Sequence, residues 1–286
     1  MSEKNKTEKS TIYLVATPIG NLADITERAK KVLSEVDFIG AEDTRNSLKL
    51  LTCLGIKKEL VSYHEHNKKA SGERIISRVL AGESCAIITD AGMPAISDPG
   101  EDIVRLAANS GVRVSVIPGA CAAVSALSLS ALATGRFCFE GFLSPNKKER
   151  EERLGKLKNE ERTMIIYEAP HKLKATLSDL SGTFGELRKI ALCRELTKLN
   201  EEVCRTTLAD AIELYREREP RGEYVLVIEG ADPSARQKNS VAAQMSPQEA
   251  VEHFCAEGMT KNDAIKAAAK QLGMTRNQLY ELVMKK

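Results

Sequence analysis

Five short apolar runs, at residues 12–16, 38–41, 60–63, 85–89 and 112–117, alternate with amphipathic helical stretches over the first 118 residues. That alternation leaves few architectures open, because strands separated by a crossover helix pair most simply in parallel. The expected outcome is a mostly parallel sheet covered by helices. In such sheets ligands bind where loops leave the carboxyl ends of the strands, since the helices that follow aim free N–H groups and positive dipole ends there. Two loops stand out: Thr17-Pro18-Ile19-Gly20-Asn21 after the first run and Asp90-Ala91-Gly92-Met93-Pro94 after the fourth. Gly20 and Gly92 let backbone come close to a ligand, and Pro18 and Pro94 stiffen the loops. Neither loop fits G-x-G-x-x-G or G-x-x-x-x-G-K-[ST], which argues against a dinucleotide or triphosphate cradle.

Past residue 119 a helix of small residues at 121–132 leads to a new strand around Phe137-Cys138-Phe139-Glu140, and the alternation resumes. Strands are expected at 163–167, 189–194, 202–206 and 224–229, with helices at 147–158, 171–180 and 208–218. Only a short loop separates 189–194 from 202–206, so this second sheet is at least partly antiparallel. The organisation expected is a loose tail at 1–10, an α/β domain at 11–120, a second at 121–230, a linker at 231–245 and a helical module at 246–286.

That module carries three helix-start signals in succession: Ser246-Pro247-Gln248-Glu249, Thr260-Lys261-Asn262-Asp263 and Thr275-Arg276-Asn277-Gln278. Each puts a hydroxyl at the N-cap and an acceptor three residues later, while Gly258 and Gly273 stand where the preceding helices must stop. Three short helices follow, the last two in helix-turn-helix form. Lys and Arg exceed Asp and Glu by only about one from residue 246 onward, a weak field for phosphates, so docking on RNA or protein is favoured over DNA reading.

Composition narrows the function classes. The chain has 286 residues, 42% apolar content and a net charge of +2, which suits a globular protein with sizeable cores and no general nucleic-acid coat. Seven cysteines show no C-x-x-C pairing, as in thiols of a reducing cytosol. The polar start lacks the apolar core of a signal peptide, and the longest small-apolar stretch, 120–133, is interrupted by three serines and too short for a membrane span. A cytoplasmic location is expected.

Seven segments, taken in order, resemble one family: Tyr13-Leu14-Val15-Ala16-Thr17-Pro18-Ile19-Gly20-Asn21-Leu22, Ala41-Glu42-Asp43-Thr44-Arg45, the stretch from Asp90 to Gly100, Ile117-Pro118-Gly119-Ala120-Cys121-Ala122, Phe139-Glu140-Gly141-Phe142-Leu143, Tyr167-Glu168-Ala169-Pro170-His171 and Arg194-Glu195-Leu196-Thr197-Lys198. The resemblance is to the small-subunit ribosomal RNA methyltransferases of type I, within the tetrapyrrole-methylase superfamily, and it runs from about residue 12 to 230. It implies two α/β domains of the tetrapyrrole-methylase type, a small C-terminal three-helix module, and S-adenosylmethionine as cofactor between the two domains. It further implies a homodimer that acts on 16S ribosomal RNA in the small ribosomal subunit, at the ribose 2′-oxygen of a decoding-region cytidine. Mapped onto this chain, the resemblance places cofactor contacts at Pro18, Asp90, Gly92, Pro94, Ile96, Cys121 and Ala122, with Tyr167, Glu168, Leu196 and Glu223 from the second domain. At Cys121 the wider superfamily often has Ser or Thr, so contact there rests on backbone.

Methyl transfer from a sulfonium needs alignment and removal of the hydroxyl proton. Glu168, His171 and Lys198 are the catalytic candidates, with Glu195, Asp43 and Arg45 nearby. His64-Glu65-His66 sets two imidazoles at a strand end, yet no third ligand is signposted and the reaction needs no metal. The basic-looking stretch 147–158 interleaves Glu149, Glu151 and Glu152 with its Lys and Arg, as a solvated helix face does. A related methyltransferase acting on a tetrapyrrole or protein, and a non-catalytic ribosome-assembly factor, are the rival readings.

Overall fold

The computed structural model describes residues 6–97, 100–233, 246–272 and 274–284. Asp98, Pro99 and Gly273, most of the expected linker and the start of the expected tail lie outside them. The first sheet holds β1 (Thr11–Val15), β2 (Phe38–Ala41), β3 (Glu59–Ser62), β4 (Cys85–Ile88) and β5 (Arg113–Ile117), in the order β3-β2-β4-β1-β5. Every pairing in it is parallel. The helices between them are α1 (Glu27–Glu35), α2 (Thr44–Cys53), α3 (Lys68–Leu80) and α4 (Gly100–Asn109).

Burial explains why the runs read as continuously apolar. Along β1, Ile12 and Leu14 join one core with residues of α3 and α4, such as Ile75, Val79 and Ile103, while Tyr13 and Val15 join a second core with Ala29, Val32 and Leu33 of α1. A central parallel strand is covered on both faces, so it cannot alternate apolar with polar. Thr26 starts α1 by accepting the Ala29 N–H at 3.0 Å, and Asp43 starts α2 by accepting the Arg45 N–H at 2.8 Å.

The second sheet comprises β6 (Phe137–Phe142), β7 (Thr163–Glu168), β8 (Lys189–Arg194), β9 (Glu202–Thr207) and β10 (Tyr224–Ile228), in the order β6-β7-β10-β8-β9. Only β6 and β7 pair in parallel; β10 runs antiparallel to both its neighbours and β8 to β9. The expected antiparallel pair is thus one part of a mixed sheet. One face packs on α6 (Lys147–Leu157), α7 (Pro170–Phe184) and α8 (Leu208–Glu217), where Leu173, Leu177 and Leu180 of α7 are fully buried at helical spacing. The other face packs on α5 (Ala122–Leu129), whose Ala123, Ala126 and Leu127 meet Ile165, Val225 and Val227. Ile19, from the loop after β1, packs against this same core and ties the loop to the second sheet. The polar face of α6 is laced with ion pairs: Arg150 meets Asp179 at 2.7 Å and Arg153 meets Glu140.

The chain divides into two compact units, and both sheets belong to the first, which closes at Glu229. The second contains α9 (Pro247–Ala256), α10 (Lys261–Gln271) and α11 (Arg276–Met284), joined through a core of Ala250, Val251, Ala264, Ile265, Ala268, Ala269 and Leu279. Its starts are built as their spacing predicts. Ser246 and Glu249 form a reciprocal capping box, Thr260 accepts the Asp263 N–H, and Thr275 exchanges bonds with Gln278.

Candidate active site

The carboxyl ends of β1 and β4 open into a cavity of about 500 Å³ whose opposite wall comes from the second sheet. That volume lies within the range of roughly 300–1,000 Å³ typical of small-molecule sites. The loops after β1 and β4 are buttoned together at its edge: Thr17 and Gly92 exchange backbone bonds, 2.9 Å from the Thr17 N–H and 3.1 Å from the Gly92 N–H. Gly92 sits at φ +86°, where a side chain is strained, and a Cβ there would stand 3.2 Å from Ile19 Cγ2.

Of the residues expected to hold a cofactor, Gly92, Ile96, Cys121, Ala122, Tyr167, Glu168, Leu196 and Glu223 line the cavity. Pro18, Asp90 and Pro94 are not among its lining residues. Asp90 is exposed, and its carboxylate accepts a bond from Asn46 Nδ2 at 3.0 Å. The three catalytic candidates, Glu168, His171 and Lys198, all line it; Asp43 and Arg45 do not and pair with each other at 3.0 Å. The imidazoles of His64 and His66 meet edge-on at 5.9 Å in the loop after β3, outside the cavity lining.

Several lining residues escaped the sequence reading. Glu42 and Phe142 lie inside the motif segments 41–45 and 139–143, which is a signal; Cys193, Tyr224 and Val225 are strand residues with nothing local to mark them. Glu42 is well supported, accepting the Thr89 hydroxyl at 2.6 Å and the Asp90 N–H at 3.4 Å.

Two helices start at this cavity with N-cap residues that do not cap them by their own side chains. Cys121 precedes α5 and Ala169 precedes α7, and neither side chain accepts an N–H of its helix. Pro170 suits the first turn of α7 because that position needs no N–H. Glu168, only 3% exposed, takes the Ala169 N–H on Oε1 at 2.9 Å and the Thr176 hydroxyl on Oε2 at 2.5 Å. It thereby fixes the first turns of α7 and, with them, exposed His171 at the cavity rim. The Tyr167 hydroxyl accepts the Ala123 N–H at 3.2 Å, and burial pushes its pKa up to about 12, so it stays a neutral phenol.

Lys198 is held between Glu195 and Glu223, 2.9 Å from each. Burial alone would lower its pKa, but the two carboxylates outweigh that and raise it, so Lys198 is an ammonium donor at neutral pH. Glu195 is held below the usual carboxylate range by the Glu223 N–H and then by Lys198. Strain marks the loops around this cluster: Ala95, Ser97, Glu195 and Thr197 all have φ between +49° and +70°. Side chains seldom occupy that region, and such residues gather at ligand-binding loops.

The sequence pattern of the Tetrapyrrole (Corrin/Porphyrin) Methylases matches residues 11–212. This chain belongs to that family. It is 45% identical over 281 residues, 98% of this chain and 97% of the relative, to a Ribosomal RNA small subunit methyltransferase I of Halalkalibacterium halodurans. With the protein of that name from Bacillus subtilis it shares 43% over 282 residues, 98% and 96% of the two chains. Among solved structures, diphthine synthase superposes with a TM-score of 0.59 at 14% identity, covering 77% of this chain and 90% of that one. Uroporphyrin-III-C-methyltransferase from Thermus thermophilus superposes with a TM-score of 0.56 at 21% identity, covering 77% and 94%. These bear out the tetrapyrrole-methylase fold and the resemblance read from the motifs.

The protein is therefore a methyltransferase, and its cofactor is S-adenosylmethionine. The cavity suits that molecule. Glu42, Glu168, Glu195 and Glu223 line it against the single ammonium of Lys198 and the imidazole of His171, a negative balance matched to a sulfonium and an α-ammonium.

Proposed function

We propose that this enzyme methylates the ribose 2′-oxygen of a cytidine in the decoding region of 16S ribosomal RNA, acting on the small ribosomal subunit as a cytoplasmic homodimer. The observation that carries the reading is the 45% identity, along 98% of the chain, to a protein named Ribosomal RNA small subunit methyltransferase I. The acidic cavity supports it, because a cationic methyl donor would bind there without help from a metal.

When bound, S-adenosylmethionine supplies a methyl group already activated by its sulfonium charge. The residues of the chain then have three tasks. Gly92, Ile96, Cys121, Ala122, Tyr167, Glu168, Leu196 and Glu223 hold the donor, with Glu42 added from the lining set. Lys198, locked by its two carboxylates, braces the Glu195–Lys198 loop, and Glu168 anchors the first turns of α7. His171, exposed at the rim on α7, takes the proton from the ribose hydroxyl as it attacks. Positioning of this kind is worth up to roughly 7–11 kcal/mol of barrier in well-oriented systems. Val124 and Leu129 of α5 and the fully exposed Leu199 offer apolar surface for the second copy, which light scattering would register as a dimer.

The test is nucleoside mass analysis of small-subunit RNA from cells with and without the gene. The expected result is loss of one 2′-O-methylcytidine in the deletion and its restoration by purified enzyme with S-adenosylmethionine. An unchanged RNA, or a methylated tetrapyrrole in its place, would refute the proposal.

A further inference from the structure

The strand β6 contains an irregularity whose effect is to re-aim one ring. In a regular strand Phe139 and Phe142, three residues apart, would point to opposite faces. The register of β6 on β7 shifts between Phe139 and Gly141, and Gly141 adopts φ +65° with its Cα face close to Ser97 Oγ. A bulge of this kind turns the side chains that follow it. Both rings consequently reach Tyr167: Phe139 edge-on at 5.0 Å and Phe142 edge-on at 5.5 Å. Tyr167 is itself pinned by the Ala123 N–H, so the orientation of Phe142 is set by a fixed neighbour.

Phe142 lines the cavity and yet is 59% exposed. Among the described residues the exposed phenylalanine and tyrosine side chains are Phe137, Phe142 and Tyr280, and of these only Phe142 belongs to the cavity. An aromatic ring left this open is not what encloses a bound cofactor, since a small-molecule site covers most of its ligand's surface. Exposed and lining at once, it lies at the open side of the cavity. A nucleotide whose 2′-oxygen is brought to a buried methyl group has to leave its stack, and single-stranded bases are held on aromatic faces when they do.

We propose that Phe142 is the stacking platform for the base of the nucleotide being methylated. The inference rests on the ribosomal RNA reading above and adds to it the residue that receives the splayed base. Removal of one base-stacking ring weakens single-stranded nucleic-acid binding by about 1–3 kcal/mol, roughly 5- to 150-fold in a binding constant.

The experiment uses full-length enzyme, small-subunit particles from cells lacking the gene, and radiolabelled S-adenosylmethionine, with wild type compared to Phe142→Ala, Phe142→Leu and Phe142→Tyr. Phe142→Ala and Phe142→Leu are expected to raise KM for the particle roughly 5- to 150-fold. Phe142→Tyr should stay near wild type, and calorimetric affinity for S-adenosylmethionine should be unchanged in all three. Leu keeps apolar bulk without a ring, so its equivalence to Tyr would overturn stacking in favour of packing. A parallel loss of cofactor affinity, or dissociation of a dimer, would likewise overturn the assignment. Active wild type with an equally active Ala variant refutes this inference alone, whereas wild type that transfers no methyl to the RNA refutes the proposed function and this inference with it.

Discussion

Replacing Gly92 with alanine tests whether the loop after β4 works by close backbone approach. The residue has φ +86°, and the new Cβ would meet Ile19 Cγ2 at 3.2 Å and the Ala120 carbonyl at 3.7 Å. Holding an L-residue in the left-handed region costs about 1–2 kcal/mol. The tight contact adds to that, because Ile19 is packed into the core beside α5 and yields only by shifting its own loop. A total near 2–3 kcal/mol corresponds to a fall in Tm of about 4–12 °C for a protein of this class. Gly55→Ala is the control: its φ is +70° with nothing within 4 Å, so it carries the backbone strain without the contact. Thermal unfolding and calorimetric titration with S-adenosylmethionine would be run on both. Gly92→Ala should be the less stable and bind cofactor about tenfold more weakly, the lower end of what one misplaced methylene does in a pocket. Gly55→Ala should bind as wild type does. If the two variants lose equal stability and both bind normally, close approach at Gly92 is not what builds the site.

Asp90→Asn should weaken cofactor binding less than Gly92→Ala does, measured by the same titration, because the carboxylate faces Asn46 and not the cavity lining. Glu202 is held at about 2, against an ordinary 4.5, chiefly by Arg218 and also by Arg194. A depressed carboxylate stabilises the fold fully above its unfolded pKa and progressively less as pH falls through its folded one. Urea midpoints should therefore drop between pH 5 and pH 2, and drop less in Glu202→Gln. Removal of residues 246–286 should leave cofactor affinity intact, since the cavity is lined entirely by the first compact unit, while methyl transfer to small-subunit particles falls. Loss of cofactor binding in the truncated chain would contradict that division of labour.

The parallel first sheet was legible because its information is local. Each apolar run lies on a strand of the sheet, the three central strands being buried along their whole length, and the first two crossover helices carry their own caps, at Thr26 and Asp43. The three C-terminal helices were legible for the same reason, since a capping box spans only four residues. The motif loops were recognisable as the frame of a cavity, and eight of the expected contact residues do line it. What the sequence could not decide was direction. Asp90 reads as a carboxylate presented to a ligand, but Asn46, 44 residues away in the chain, engages it outside the lining. Lys198 reads as a candidate base, but Glu223, 25 residues away, joins Glu195 in keeping it charged. Phe142 became a cavity residue only through a bulge in its pairing with β7, a property of two strands at once. Strand and helix identity follow from side chains a few residues apart, whereas the aim of a side chain and its protonation depend on partners that only the folded chain brings within hydrogen-bonding distance.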